Sequence, residues 1–246
     1  MGNLYKNLAG IYEAMYQTFI NYSDEYKFYS NIFHKYKKHY VAEIGCGTGN
    51  LAHQFLQNGF TYTGIDLSSE MLQLAQAKNP GALFLQADMR SFILPKPAEA
   101  MLMAGRTISY LITDEDVYRC FNSVYRQSDA AGIFCFDFID ASRFIPLIEK
   151  GKEIIHTASF DDKQYQRSSY WKINPAQSFT FSWSSFYYEL NEKNEKVLIG
   201  KDDSVIRAYT KDDITLFLKL CGFEILECVN KPSYAFDTYS VTAQKH

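Results

Sequence analysis

The sequence predicts an α/β fold in which helices cover both faces of a mostly parallel sheet. Strands and helices alternate between residues 40 and 140. The predicted strands are nearly continuous apolar runs, which is typical of parallel strands that are buried on both faces. The chain has 246 residues, of which 47% are hydrophobic and 22% charged, so it can bury a large core and is not expected to be disordered.

The N-terminal part of the chain contains the elements of this sheet in a simple order. Two helices are predicted within 11–38, with a break near "NYSDE", where Ser23 is a candidate N-cap. Strands are predicted at 40–44, 60–66, 82–88, 98–104 and 132–140, and helices at 50–58, 68–79 and 114–127. Either Ser68 or Ser69 should cap the helix predicted at 68–79, which ends before Pro80.

A different pattern follows the fifth strand. Extended segments separated by the turn signals "FDDK", "NPAQ" and "NEKNEK" predict a small antiparallel insertion. Within "SFTFSWSSFYYEL" the aromatic alternation changes phase at Ser184–Ser185, which predicts a β-bulge at those serines. Beyond the insertion, a helix at 210–222 capped by Thr210 precedes two strands, "FEILECVN" and "TYSVTAQ", which should pair as a hairpin.

These patterns divide the chain into two parts. The predicted main domain consists of residues 1–150 and 209–246, and its N-terminal helices, within 1–38, are expected to act as a lid. Residues 151–208 are the predicted insertion, which is expected to cover a substrate. An aromatic sheet face can equally serve as an interface between two copies, so a monomer and a homodimer are both open.

Charge and cysteine content exclude several classes of protein. The net charge is −3, and the one dense basic run, "KYKKHY", is interpreted as the solvated end of a helix, so no nucleic-acid partner is expected. The five cysteines include no C-x-x-C pair, so neither a disulfide framework nor a metal site is predicted. No secretory signal and no apolar run of membrane-spanning length are found. We therefore expect a cytoplasmic protein with reduced thiols and no membrane partner.

The stretch "VAEIGCGTGN" is a glycine loop between a strand and a helix, where backbone N–H groups form a site for a polar ligand. Its glycines, Gly45, Gly47 and Gly49, do not have the G-x-G-x-x-G spacing of a dinucleotide loop. Glu43 precedes the loop within the strand, and its carboxylate would repel a pyrophosphate but attract an ammonium group. The loop therefore favours S-adenosylmethionine over NAD.

Two further acids end strands at the same edge of the predicted sheet. Asp66 ends the second strand, 21 residues after Gly45, where a carboxylate accepts hydrogen bonds from ribose hydroxyls. Asp88 ends the third strand, 22 residues further on, where a carboxylate can accept from the amine of adenine. Because buried carboxylates need partners, a plain core role explains neither acid well.

Three segments in order, "VAEIGCGTGN", "GIDLSSEML" and "ADMRSF", closely resemble the successive motifs of class I S-adenosylmethionine-dependent methyltransferases. The segment "AYTKDDITLFLKLCGFEILE" is similar to the last helix and sixth strand of that family. The resemblance covers essentially the whole chain. It implies a Rossmann-like sheet of seven strands with an antiparallel last strand, and S-adenosylmethionine as the cofactor.

The resemblance also implies which residues hold the cofactor. Glu43 and the loop backbone would bind the methionine part, Asp66 the ribose and Asp88 the adenine amine. A tyrosine of the N-terminal helix would lie over the cofactor, whereas Leu67 and Met71 would line the adenine or could simply belong to the core. The implied cofactor-binding residues are Tyr12, Glu43, Gly45, Cys46, Gly47, Asp66, Leu67, Met71, Asp88, Met89, Ala104 and Gly105.

Methyl transfer from a sulfonium is an in-line displacement that yields S-adenosyl-L-homocysteine, and it depends mainly on positioning and on a dry site. The sequence contains no recognisable catalytic constellation, and a base is needed only where the acceptor arrives protonated or is a hydroxyl. Tyr12, Arg106, His156 and Asp137 are weak candidates for a catalytic role. Arg106 is expected either to be solvated or to bind an anionic group of the substrate.

The acceptor site should come from three variable parts. These are the N-terminal helix with Tyr5, Tyr12 and Tyr16, the segment after the fourth strand with Arg106 and Tyr110, and the aromatic insertion. This arrangement is similar to small-molecule methyltransferases, including sugar-amine and glycine N-methyltransferases. We therefore expect a small-molecule acceptor and favour N-methylation over O-methylation. The alternatives are a methyltransferase acting on RNA or protein and a non-catalytic nucleotide-binding Rossmann protein.

Overall fold

The structure, a computed structural model, describes residues 9–151, 153–174, 177, 179–234 and 236–246. Its helices are α1 (Ala9–Gln17), α2 (Tyr22–Lys35), α3 (Asn50–Gln57), α4 (Ser69–Lys78), α5 (Asp114–Gln127), α6 (Ala141–Glu149) and α7 (Lys211–Leu220), with a 3₁₀ turn at Thr107–Tyr110. Its strands are β1 (Tyr40–Ile44), β2 (Thr61–Asp66), β3 (Leu83–Gln86), β4 (Ala98–Met103), β5 (Ser128–Phe138), β6 (Ile154–Phe160), β7 (Lys163–Ile173), β8 (Thr180–Leu190), β9 (Lys196–Arg207), β10 (Phe223–Lys231) and β11 (Thr238–Lys245). No helix of the described residues is long and apolar enough to cross a membrane.

The first of two sheets has seven strands in the order β10-β11-β5-β4-β1-β2-β3. Strands β1 to β5 pair in parallel, and β11 runs antiparallel to both of its neighbours, β5 and β10. The predicted mostly parallel sheet with an antiparallel last strand is therefore confirmed. Because β1, β2 and β4 are adjacent and parallel, the loops that follow them meet at one edge of the sheet.

Alternate residues of the central strands explain why both faces are covered. In β5, Phe134 and Phe136 pack in one buried cluster with α5 and α7, whereas Ile133 and Cys135 pack in another with α2 and α3. All four side chains are fully buried. The continuous apolar run that predicted a parallel strand therefore has partners on both sides.

The second sheet is the predicted insertion, with four antiparallel strands in the order β6-β7-β8-β9. Helix α6 leads into it and was not predicted. Asp140, which the sequence analysis placed at the end of a strand, caps this helix by accepting from the Arg143 backbone N–H at 3.1 Å. Pro146 inside the helix hid its pattern, because proline is ordinarily a helix breaker. Phe144 of α6 packs against Phe181 of β8 and so joins the helix to the second sheet.

The predicted bulge at Ser184–Ser185 is wrong. Both serines keep the regular register of β8 with β7 and β9, and the register shifts between Tyr187 and Tyr188 instead, where β9 carries the extra residue. Ser185 is buried on the face that also carries Trp183 and Tyr187. The apparent change of phase therefore reflects a polar residue on the inner face, and the strand itself stays regular.

The helix caps differ from prediction in one place. Asn21 caps α2, because its side-chain oxygen accepts from the backbone N–H groups of Ser23 and Asp24, so Ser23 is not the cap. Ser68 caps α4, and Thr210 caps α7 in a capping box with Asp213, as predicted.

Candidate active site

A cavity of about 610 Å³ lies between the loop edge of the seven-stranded sheet and the inner face of the second sheet. All of the predicted cofactor-binding residues line it, although they come from α1, from β1 and β2, from α4 and from the loops after β1, β2, β3 and β4. The structure therefore brings these residues together in one site. Which ligand atoms they contact stays a prediction.

The glycine loop after β1 needs its glycines for conformational reasons. Gly45, Gly47 and Gly49 have φ values of 73°, 54° and 73°, in the left-handed region that other residues rarely adopt. A Cβ atom on Gly45 would also lie 2.6 Å from the Thr107 side chain. The N–H groups of Gly45 and Cys46 donate to the Ile65 carbonyl at 2.7 and 3.1 Å, which ties the loop to β2.

Glu43 is a buried carboxyl group beneath this loop. It is 5% exposed and accepts a hydrogen bond from the Tyr62 hydroxyl. Burial raises the pKa of Glu43 to about 8, the Tyr62 hydrogen bond opposes this shift, and the nearby Asp66 charge adds to it. The group is therefore largely protonated at neutral pH unless a cation lies against it.

Asp66 holds the glycine loop in place. One carboxylate oxygen accepts from the Gly47 N–H at 2.9 Å and the other from the Ser68 N–H at 2.9 Å. Burial raises the pKa of Asp66, and the hydrogen bonds from Ser68 and Gly47 limit that shift. Each oxygen has a second lone pair that a ligand hydroxyl can use. The sequence analysis did not predict this role in fixing the loop.

Asp88 lies in an ion-pair network that the sequence analysis missed. Its carboxylate accepts from the Arg90 guanidinium, with an Nη2–Oδ2 distance of 2.6 Å, and Arg90 also donates to Asp116 at 2.7 Å. The Arg90 hydrogen bonds lower the pKa of Asp88. A carboxylate in this position stays ionised and keeps acceptor capacity for a ligand amine.

Arg106 is buried, so the expectation of a solvated side chain is wrong. Its side chain is wrapped by the connection between β10 and β11: Nη2 donates to the Ser233 hydroxyl and to the Tyr234 and Phe236 carbonyls, at 3.0, 2.6 and 3.1 Å. Its backbone N–H donates to Asp137 at 3.1 Å. The side-chain contacts leave no local pattern in the sequence, because Ser233, Tyr234 and Phe236 lie more than 100 residues away.

Aromatic residues form the wall contributed by α1 and its flanking turn. The Tyr12 and Tyr16 rings stack at 4.0 Å, and Phe19 packs on His156 at 4.1 Å and on Tyr234 at 4.7 Å. Tyr12, Tyr16 and the predicted Tyr110 line the cavity. Tyr5 lies outside the described residues.

His156 and Asp137 are the two side chains considered as candidate bases. His156 is half-buried, and its burial, together with the Arg167 charge, lowers its pKa to about 4. Asp137 is buried and bonded to the Arg106 N–H. Both line the cavity, but His156 binds protons weakly at neutral pH and Asp137 already has a partner.

The inner face of the second sheet supplies cavity residues that were not predicted. Arg167, Ser169 and Trp171 alternate along β7, and Trp183 faces them from β8. The signal in the sequence was the two-residue spacing within "RSSYW", which places these three side chains on one face.

Comparison with known proteins finds similarity to methyltransferases. A family model described as a methyltransferase domain matches residues 41–132. A putative methyltransferase of Bacillus subtilis, YqeM, is 29% identical over 199 residues, which cover 75% of this chain and 73% of that protein. A dTDP-3-amino-3,4,6-trideoxy-alpha-D-glucopyranose N,N-dimethyltransferase of Streptomyces venezuelae is 29% identical over 93 residues, or 38% of this chain and 39% of the relative.

Solved structures share the whole fold. An S-adenosylmethionine-dependent methyltransferase from Clostridium acetobutylicum superposes with a TM-score of 0.78 at 18% identity and covers 99% of both chains. The sugar N-methyltransferase KedS8 from Streptoalloteichus superposes with a TM-score of 0.79 at 15% identity, over 92% of this chain and 88% of that one. At these identities the likeness establishes the fold, including the inserted second sheet.

Proposed function

We propose that this protein, which is an S-adenosylmethionine-dependent methyltransferase, methylates an amine nitrogen of a small-molecule acceptor. The observation that carries the proposal is a cavity of about 610 Å³ that is lined both by the predicted cofactor residues and by aromatic and arginine side chains. A concave cavity of this size between two sheets suits a small acceptor better than a peptide or an RNA.

The cofactor would be held by the three acids at the sheet edge. Glu43 would face the ammonium of the methionine part, Asp66 the ribose hydroxyls and Asp88 the adenine amine. When bound, the cofactor supplies an activated methyl group that an acceptor displaces in line. The chain's contribution is then to orient the acceptor and to exclude water, for which the aromatic wall of Tyr12, Tyr16 and Phe19 is suited.

Nitrogen is favoured as the accepting atom because His156, a candidate base at the cavity, holds a proton weakly. A neutral amine attacks without help, whereas a hydroxyl needs a base to remove its proton. The candidate base His156 has a pKa of about 4, so it holds a proton weakly at neutral pH. Two relatives, from Streptomyces venezuelae and Streptomyces fradiae, are named as sugar N,N-dimethyltransferases, which supports the same choice.

Calorimetry with S-adenosylmethionine and with NAD tests the cofactor, and a screen with methyl-labelled cofactor over amino sugars, amino acids and matched alcohols tests the acceptor. We expect binding of S-adenosylmethionine only, and label transfer to an amine. Asp66→Asn should weaken cofactor binding by about 10-fold or more, because it loses charge-assisted hydrogen bonds.

The matched control is Asp212→Asn, which makes the same change at an exposed position in the first turn of α7. It should leave cofactor binding unchanged. Binding of NAD alone, or no binding of S-adenosylmethionine, would overturn the cofactor assignment, and transfer to the alcohols alone would overturn N-methylation.

A further inference from the structure

The inner face of the second sheet places a buried arginine at the wall of the cavity. Arg167 of β7 is 2% exposed and lies between His156 of β6 and Tyr187 of β8 in the strand register. It lines the cavity together with Ser169. A guanidinium group stays charged at any working pH, so this is a permanent cation in a desolvated position.

The hydrogen bonds of Arg167 are incomplete. Its Nε donates to the Ser185 hydroxyl at 3.3 Å, but its terminal nitrogen Nη1 is buried and has no acceptor. Among the described residues no carboxylate forms an ion pair with this guanidinium. Asp202 lies on the same face across Ser185, and its charge acts on Arg167 only at a distance. A buried charge without a partner is costly, so the position calls for an explanation.

Aromatic rings surround the guanidinium group of Arg167 but leave its Nη1 without a hydrogen-bond acceptor. Its central carbon lies 5.3 Å from the Tyr16 ring centroid, 4.9 Å from that of Trp183 and 5.9 Å from that of Tyr187. Such cation–π contacts stabilise the charge and restrict its plane. No hydrogen bond to these rings satisfies Nη1, which stays without an acceptor.

We propose that Arg167 binds an anionic group of the methyl acceptor, either a carboxylate or a phosphoryl group. The planar fork of arginine matches the paired oxygens of both groups. The cavity is lined by Glu43 and Asp66 of the seven-stranded sheet and by the cation of Arg167 from the second sheet, and an anionic group of the acceptor complements that cation. The inference rests on the proposed function, because it assigns the acceptor to the part of the cavity that the cofactor does not use.

Binding of defined probes to protein saturated with S-adenosylhomocysteine tests the proposal. The probes are glutarate for a carboxylate, inorganic pyrophosphate and thymidine diphosphate for a phosphoryl group, and thymidine as the neutral reference. We expect at least one anionic probe to bind, and Arg167→Met to weaken that binding by about 30-fold or more. The affinity of Arg167→Lys for the probe should lie between those of the wild type and Arg167→Met, because lysine keeps the charge but lacks the planar, two-pronged guanidinium.

The control is Lys172→Met, which removes one positive charge from the opposite, exposed face of the same strand. It should bind the anionic probe like the wild type, and every variant should bind S-adenosylhomocysteine with unchanged affinity. Circular dichroism checks folding, and Arg167→Gln replaces Arg167→Met if the latter does not fold.

The outcomes separate the two proposals. Failure of the wild type to bind S-adenosylhomocysteine counts against the proposed function. Normal binding of S-adenosylhomocysteine with no anionic probe bound, or with equal binding of the probe by wild type and Arg167→Met, overturns the role of Arg167 and leaves it a packing role among the rings. Preference for glutarate or for pyrophosphate identifies the anionic group.

Discussion

Glu43 is the residue whose charge state cofactor binding should change. Its pKa is raised to about 8 by burial, so below pH 8 the carboxyl group must lose a proton before it can face an ammonium group as an anion. We therefore expect the affinity for S-adenosylmethionine to fall as the pH is lowered from 8 to 6, by up to about tenfold per pH unit. Calorimetry in buffers of different ionisation enthalpy should report the release of up to one proton on binding at pH 7.

The variant Glu43→Gln is the control for this pH dependence. It keeps the shape of the side chain and an oxygen that can accept from Tyr62, but it cannot ionise. Its binding should be weaker than that of the wild type at pH 8, and the slope between pH 6 and 8 should be lost. A wild-type affinity that is flat over this range would show that Glu43 does not face the ammonium.

The site residues whose location could be predicted from the sequence share one property: each lies within a strand of the seven-stranded sheet or just after one. Glu43 lies within β1, Asp66 ends β2, and Asp88, which was predicted to end the third strand, lies in the loop just after β3. Their location at one sheet edge follows from parallel pairing. The burial of Arg106 and the presence of Arg167 in the cavity were not predicted. The surroundings of Arg106 come from the β10–β11 connection, and those of Arg167 come from the second sheet. Such contacts join distant parts of the chain and leave no local pattern.

At the scale of elements, β8 shows how local pattern and tertiary packing can disagree. Its polar residue at the inner face, Ser185, shares a hydrogen bond with Ser169 at 2.9 Å and accepts one from Arg167. The aromatic periodicity changes phase at this residue because the site requires a small polar side chain there. Helix α6 is a second example, because its cap and its packing on β8 outweigh Pro146. Helix α5, which carries no such residue, was predicted with its exact bounds, 114–127.

Substitutions on the two faces of β8 test this explanation. Ser185→Leu would force a large side chain between Arg167 and Ser169 and leave their donors without a partner, so we expect a loss of about 1–3 kcal/mol of stability. Ser182→Leu makes the same change at an exposed position of the same strand and should alter stability by less than about 0.5 kcal/mol. Urea denaturation of both variants measures the difference. Equal changes in stability for the two variants would mean that the inner face accommodates a large side chain and that Ser185 is not required there.

At the scale of the whole molecule, α1 connects the two sheets across the cavity. Glu13 of α1 pairs with Lys78 of α4, on the side of the seven-stranded sheet. Met15 packs with Ala158 and Tyr165 of the second sheet. Phe19, just beyond the helix, contacts Tyr234 in the β10–β11 connection. A ligand that fills the cavity should therefore stabilise parts of the chain that are far apart in sequence.

Hydrogen exchange with and without S-adenosylmethionine tests this coupling and the predicted lid. Protection is expected at the glycine loop, 45–49, from direct contact. If α1 closes over the cofactor, Ala9–Gln17 and residues 231–234 should become protected as well, because opening them would expose the bound ligand. The exposed turn at 191–195 lies outside the cavity and serves as the internal reference. Protection confined to the glycine loop would show that α1 is a fixed wall of the site, and substrate entry would then have to depend on another segment.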